Sequence, residues 1–301
     1  MKTQALITVL FLFMACQPKE ESHEISTESH EKEISTWHAD RVESLKKEDG
    51  WLNLIGLFWL GEGPNTFGSG DSSNLKLEEG NFPSNIGVFT LQNGEVYFEP
   101  KVEGINLDNK GLEETTVIFS TSMEGAGPAL SLGTLRFNII KRADAYGLRV
   151  RDLEAASVTE FSGIDRYPVS LDWRLIGQFV PYEPSKEIPI TNVIGQTTPN
   201  LSPGYVSFEK DGKTYTLDAL DAGEELYLIF ADATSGSETY GGGRYLYIPK
   251  PKAGSDVVVI DFNKAYNPPC VFTPHATCPL PPRQNMLELP IEAGEKNFGK
   301  H

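Results

Sequence analysis

The chain has 301 residues, 39% of them hydrophobic and 10% aromatic, which is enough apolar side chain for a core and excludes wholesale disorder. Its 42 acidic and 26 basic residues leave a formal charge of -16. That balance excludes a nucleic-acid binder, which needs clustered cations against phosphate, and a basic helix adsorbed on an anionic bilayer.

Residues 1–15, MKTQALITVLFLFMA, hold one Lys and then an apolar run from Ala5 to Ala15 that is too short to span a bilayer. Ala15 followed directly by Cys16 resembles a bacterial lipobox. The expectation is a lipoprotein signal peptide over 1–15 and acyl chains of the palmitate kind on Cys16, which becomes the first mature residue and the membrane anchor. Residues 16–34 are polar and acidic and read as a flexible tether, with His23 and His30 as solvated side chains. The expected location is the bacterial cell envelope, lipid-anchored and facing the periplasm or the cell surface.

STWHADRVESLKKEDG, residues 35–50, reads as one short helix. Ser35 or Thr36 caps it, Gly50 ends it, and His38 falls on its solvent side. Beyond Gly50 the hydrophobic period changes to two, and the 28 Gly and 20 Pro fit short strands joined by turns. Asn93-Gly94 and Asp211-Gly212 are two-residue hairpin signals. The apolar runs LYLIF, from Leu226, and VVVI, from Val257, read as central strands covered on both faces. The expected fold is mostly β: two β-sandwich or barrel-like units with one N-terminal helix. Pro181, Pro184 and Pro189 crowd a charged stretch and suggest a division at residue 183, giving a helix plus N-terminal β domain over 35–183 and a C-terminal β domain over 184–301.

Four segments, DGWLNLIGLFWLGEGPNTFGS, TLRFNIIKR, DATSGSETYGGGRYLYI and DFNKAYNPPCVFTPHATCPLPP, resemble the bacterial family known as domain of unknown function 1684. The resemblance spans about residues 40 to 296. It implies no activity, because the family has none assigned. Gly61 to Leu91 faintly resembles forkhead-associated sandwiches, but Ser69 stands where their phosphate-binding Arg would be and PSNIGVF offers no His. Phosphopeptide recognition is therefore expected to be absent.

Cys270 and Cys278 lie in a proline-bound stretch, and the envelope location favours a disulfide between them. Two alternatives stay open. Cys270, His275 and Cys278 supply three zinc ligands with a fourth place for water, although their spacing matches no familiar zinc pattern. Either cysteine is otherwise a nucleophile with His275 as its base. The family resemblance implies no regular His at position 275, which counts against zinc.

The loop ADATSGSETYGGGRY follows a buried strand and gathers polar side chains around glycines. As a ligand pocket it would use Asp232, Ser235, Tyr240 and Arg244, joined by Asn263 and Tyr266 from DFNKAY. A hydrolase-type enzyme would use Glu238 as acid or base, with Asp261 and Arg244 beside it. The plain alternative is that Arg244 pairs with Asp232, Glu238 or Asp261 and staples the loops. Arg149, Arg151, Asp165 and Arg166 read as structural or interdomain ion pairs. Trp51, Trp59 and Trp173 read as core or, less readily, a sugar platform. The functional expectation is non-catalytic binding of a small molecule, a glycan or a protein partner, without a cofactor unless zinc is bound, and with a hydrolase as the alternative.

Overall fold

The computed structural model describes residues 25–78, 80–123 and 127–299. The signal segment, Cys16 and His23 lie outside the described residues.

Helix α1 spans Thr27–Lys46 and starts well before the expected Ser35. Ser26 caps it by accepting from the Ser29 amide at 3.2 Å. His30, Ile34 and Leu45 are its buried residues. With His38 and Arg41 they recur every three or four positions along one face. This corrects the reading of residues 25–34 as tether. Ile25 and Ile34 are the only large core-type side chains among them, so hydropathy gives little sign of a helix whose anchor is a buried imidazole. His38 is half-buried, not solvent-side.

The N-terminal β unit comprises β1 (Leu54–Trp59), β2 (Gly63–Gly68), β3 (Leu75–Lys76), β4 (Gly87–Gln92), β5 (Glu95–Pro100), β6 (Asn106–Leu107), β7 (Lys110–Gly111), β8 (Thr116–Phe119), β9 (Leu130–Leu132), β10 (Leu135–Arg142) and β11 (Ala145–Asp152). They form a six-stranded sheet in the order β1-β11-β10-β9-β6-β7 and a five-stranded sheet in the order β3-β2-β4-β5-β8. The sheets face each other across an aromatic core. Phe137 of the first sheet lies 5.4 Å from Phe67, 5.8 Å from Phe98 and 6.2 Å from Phe89 of the second.

The C-terminal unit comprises β12 (Arg174–Thr191), β13 (Thr197–Lys210), β14 (Lys213–Ala222), β15 (Glu225–Phe230), β16 (Arg244–Pro249) and β17 (Val257–Asp261). One antiparallel sheet in the order β16-β15-β14-β13-β12-β17 curls so that a bridge between Tyr245 and Tyr266 brings β16 to the chain just past β17, a nearly closed barrel. Val206, Phe208, Leu217, Leu228, Phe230, Leu246, Ile260 and Phe262 fill its interior. The mostly β fold with an N-terminal helix is therefore as expected, although the helix is longer than the short one read from sequence. Asn93 (φ 53°) with Gly94 (φ 79°) turns β4 into β5, and Asp211 (φ 51°) with Gly212 (φ 73°) turns β13 into β14.

Two local expectations differ. Residue 183 lies inside β12, between Pro181 and Lys186, where the register against β13 shifts. Proline cannot donate to the ladder, so Pro181 and Pro184 mark an irregular step in a long strand. The passage between the two units runs instead between β11 and β12. VVVI forms β17, the end strand of its sheet, although Val258 and Ile260 are buried in the barrel. Among the described residues no helix is long and apolar enough to cross a membrane.

Candidate functional site

The polar loop after β15 is a closed structural knot. Arg244 is fully buried, and its Nη2 donates to Asp232 Oδ2 at 2.8 Å and to the Ile291 carbonyl at 2.9 Å. Its Nη1 donates to the carbonyls of Ala293 and Glu295. Asp232 Oδ1 accepts from the Thr234 amide at 2.9 Å, the Thr234 hydroxyl at 2.6 Å and the Ile291 amide at 3.2 Å. Ser235 Oγ accepts from the Asp232 amide at 3.1 Å. The stapling alternative, with Asp232 as the partner, is the arrangement found. It ties the loop to the C-terminal segment and leaves the guanidinium fork occupied.

The hydrolase candidates do not converge. Glu238 stands exposed and pairs with Lys296 at 2.9 Å, which holds its carboxyl below the ordinary range. Asp261 receives His30 Nε2 at 2.7 Å and the Asn263 amide at 3.1 Å. Asn263 spends its side chain on Asp261 Oδ1 and the Ser170 carbonyl, both at 2.8 Å. Tyr240 is half-buried at the rim of the loop. The three groups serve three separate contacts because each has a nearer structural partner than another member of the set.

Cys270 and Cys278 form a disulfide, with Cα atoms 6.1 Å apart. Both sulfurs are committed to that bond, so neither supplies a thiolate to zinc or to a nucleophilic step. Closing this nine-residue loop stabilises the fold by about 2.5 kcal/mol in the chain-entropy view.

Of the residues expected in the ligand pocket, Tyr266 lines a cavity formed elsewhere. This cavity, of about 370 Å³, lies between the N-terminal unit and the outer face of the barrel. Tyr227 of β15, Tyr245 and Tyr247 of β16, and Tyr266 make its aromatic wall. Arg142 of β10 and Arg149 of β11 approach from the opposite unit, α1 contributes Arg41, and Trp51 adds a further aromatic face. Pro269 and Ala276 to Pro279, the disulfide-tied loop, close one side. Period two explains the barrel wall: Leu246 and Ile248 enter the core while Tyr245 and Tyr247 point out, and Tyr247 sits in register with Tyr227. The Tyr227 and Tyr247 rings stack at 4.6 Å and 14°, and Tyr247 and Tyr266 lie at 6.4 Å and 14°.

The charges here are unbalanced. The lining holds three guanidiniums and no carboxylate. Arg41 is answered from behind: its Nε lies 3.5 Å from Glu295 Oε1, its Nη2 donates to the Asn267 carbonyl at 3.0 Å, and its guanidinium sits 4.8 Å over Tyr266. Burial pushes the Glu295 carboxyl up, opposed by Arg41 and by the Asn267 amide, which donates to it at 2.7 Å. Arg149 has no such answer. It stacks at 5.4 Å on Trp51, and its Nε is buried without a hydrogen-bond partner. Burial, then the like charges of Arg151 and Arg142, pull its guanidinium down to about 10. Arg142 reaches the Thr277 hydroxyl at 3.5 Å and the Lys141 carbonyl at 3.0 Å. Among the described residues neither Arg142 nor Arg149 forms an ion pair. The ion-pair expectation for Arg149 and Arg151 is thus overturned. Arg151 donates instead to Asn53 Oδ1 at 2.7 Å and to the Gly50 carbonyl, because β11 carries it to the turn after α1, where Asp49 acts on it only through longer-range charge attraction.

The tryptophans occupy separate settings. Trp51 lines the cavity, Trp173 packs edge-on to Phe262 at 6.3 Å, and Trp59 is 38% exposed at the end of β1. Sequence reading missed Arg41, Arg142, Tyr227, Tyr245 and Tyr247 as site residues. The alternation of Tyr245 and Tyr247 was the available signal, since period two puts both on one strand face. Burial pushes the phenols of Tyr227, Tyr245 and Tyr266 well above the ordinary tyrosine range, so they stay neutral. The lining has no carboxylate, imidazole or free thiol to move a proton or attack. It combines guanidiniums with aromatic faces.

Residues 159–296 match the family described as "Protein of unknown function (DUF1684)". The match is narrower than the expected 40 to 296. It includes the tyrosine wall and the disulfide loop, while Arg41, Trp51, Arg142 and Arg149 fall before it. No curated protein matches the chain. An uncharacterized protein of Haloarcula marismortui, solved in solution by NMR, is similar at 29% identity over 48% of this chain and 80% of its own, with a TM-score of 0.40.

Proposed function

We propose that this chain, which carries a DUF1684 domain over residues 159–296, is a non-catalytic binding protein for a small anionic molecule. One observation carries the reading: Arg142 and Arg149 line an aromatic cavity without a carboxylate partner, in a protein whose formal charge is -16. A buried cation without a counter-charge costs stability, and a bound anion offsets that cost. The cavity is at the lower end of the range for small-molecule sites. Candidate acids and bases elsewhere are tied into structural pairs, which supports binding over hydrolysis.

The same proposal places the protein in a bacterial envelope, held by acyl chains on Cys16. The support is the lysine-then-apolar segment, the Ala15-Cys16 junction and the polar residues after it. A disulfide between Cys270 and Cys278 fits an oxidising compartment. The test is native mass spectrometry of the protein purified from its own membrane fraction. An added mass that leaves under gentle activation, and that is lost in Arg149→Gln, is expected. A bare polypeptide in both proteins speaks against a resident small ligand.

A further inference from the structure

Resting on the binding reading of this cavity, we infer that its ligand is an aromatic monocarboxylic acid, with its ring packed against the tyrosine wall and its carboxylate on Arg142 and Arg149. The shape of the wall selects the ring. Tyr227 and Tyr266 both lie within 14° of parallel to Tyr247. Tyr247 is 40% exposed although its strand neighbours Leu246 and Ile248 are buried at 1%. A stack of parallel rings offers edges and outer faces, and these favour edge-to-face or offset contact with a planar π system over a flexible alkyl chain, which gains only area. Neutral phenols leave the wall without charge, so it attracts the ring and not the acid group.

The charge count selects the acid. Arg41 is engaged by Glu295 and Asn267, so two guanidiniums remain for the ligand. A guanidinium fork matches a carboxylate in two parallel hydrogen bonds. The net charge of -16 opposes the approach of polyanions such as nucleoside di- and triphosphates, and opposes a monoanion much less. Trp51 beside Arg149 gives an optical reporter at the charged end.

The test is titration of the full mature chain, followed by calorimetry and Trp fluorescence, with naphthoate, naphthamide, octanoate and inorganic phosphate. Naphthoate is expected to bind about tenfold or more tightly than each of the others, as loss of either the ring or the charge forfeits roughly 1.4 kcal/mol. Arg149→Gln is expected to weaken naphthoate about tenfold and leave naphthamide unchanged, whereas Tyr247→Ala weakens both. Tyr247 is partly exposed, and thermal unfolding of each variant confirms that it is folded. If octanoate or phosphate binds as tightly as naphthoate, with Arg149→Gln weakening it, the aromatic-acid inference falls and the anion-binding reading stands. If no probe binds, the inference falls too, and the co-purified mass described above decides the wider reading by itself.

Discussion

Arg244 and Arg149 are both arginines on β structure in the same protein, and their surroundings give them opposite roles. Arg244 is enclosed, with Asp232 and three carbonyls filling its fork. Arg244→Ala removes one side of a buried pair and strands Asp232, so it is expected to cost about 3–5 kcal/mol. Urea unfolding measures that loss, and ligand affinity in the remaining folded fraction stays unchanged. Arg41 offers a test in which pH enters. Burial raises the Glu295 carboxyl above its unfolded value, and Arg41 works against that rise. Removing Arg41 raises it further. A carboxyl with a raised folded value favours folding where it is protonated, below the unfolded value, and loses that contribution as pH rises through the folded one. Arg41→Leu should therefore be near wild type in stability at about pH 4 and fall behind by about 3 kcal/mol toward pH 8. Chemical denaturation across that range checks it, and a deficit independent of pH would sink the assignment.

At the scale of the element, α1 is the part of the fold that hydropathy describes least well. Its first turns are polar, yet His30 is buried against Asp261 at 2.7 Å and Lys264 pairs with Glu33 at 2.6 Å. The Asp261 carboxylate also accepts from Asn263, so one acid joins α1 to the end of β17. His30→Ala is expected to cost about 2 kcal/mol, the range for a hydrogen bond to a charged group, and the loss should be local. Hydrogen exchange should quicken across 27–46 while the barrel strands keep their protection. Equal loss of protection throughout both units would show that α1 is not a separable element. Because Arg41 sits on the same helix, loosening α1 also removes one side of the cavity. The strands present the reverse case. The Asn93-Gly94 and Asp211-Gly212 turns form where sequence placed them, since a left-handed pair of residues is a local requirement that Asn, Asp and Gly meet at low cost.

Across the whole molecule, the cavity exists only because two β units and a helix meet. The barrel gives tyrosines, the sandwich gives Arg142 and Arg149, and α1 gives Arg41. Such a site lies outside any single motif, which is why the matched family segment contains one wall and not the other. The proposed anchor is likewise a whole-molecule property, because it fixes where this site meets its ligand. Cys16→Ser is expected to move the protein from the membrane to the soluble fraction, as the acyl chains provide the attachment. Fractionation followed by immunoblotting reads this, and unchanged membrane association would remove the lipid-anchor proposal.

What the residues alone determined was the mostly β character, the two tight hairpins and the charge balance. Each of these is set by period, turn chemistry or a simple count, all of which act over a few neighbours. The polar loop was visible too, along with the option that Arg244 staples it, but which acid would answer it was not. That choice, like the burial of His30 and the unanswered charge of Arg149, depends on groups brought together from distant parts of the chain. Hydrogen-bond and charge partners are selected by distance in space, so only the tertiary structure decided which polar side chains are fastened and which are left facing a cavity.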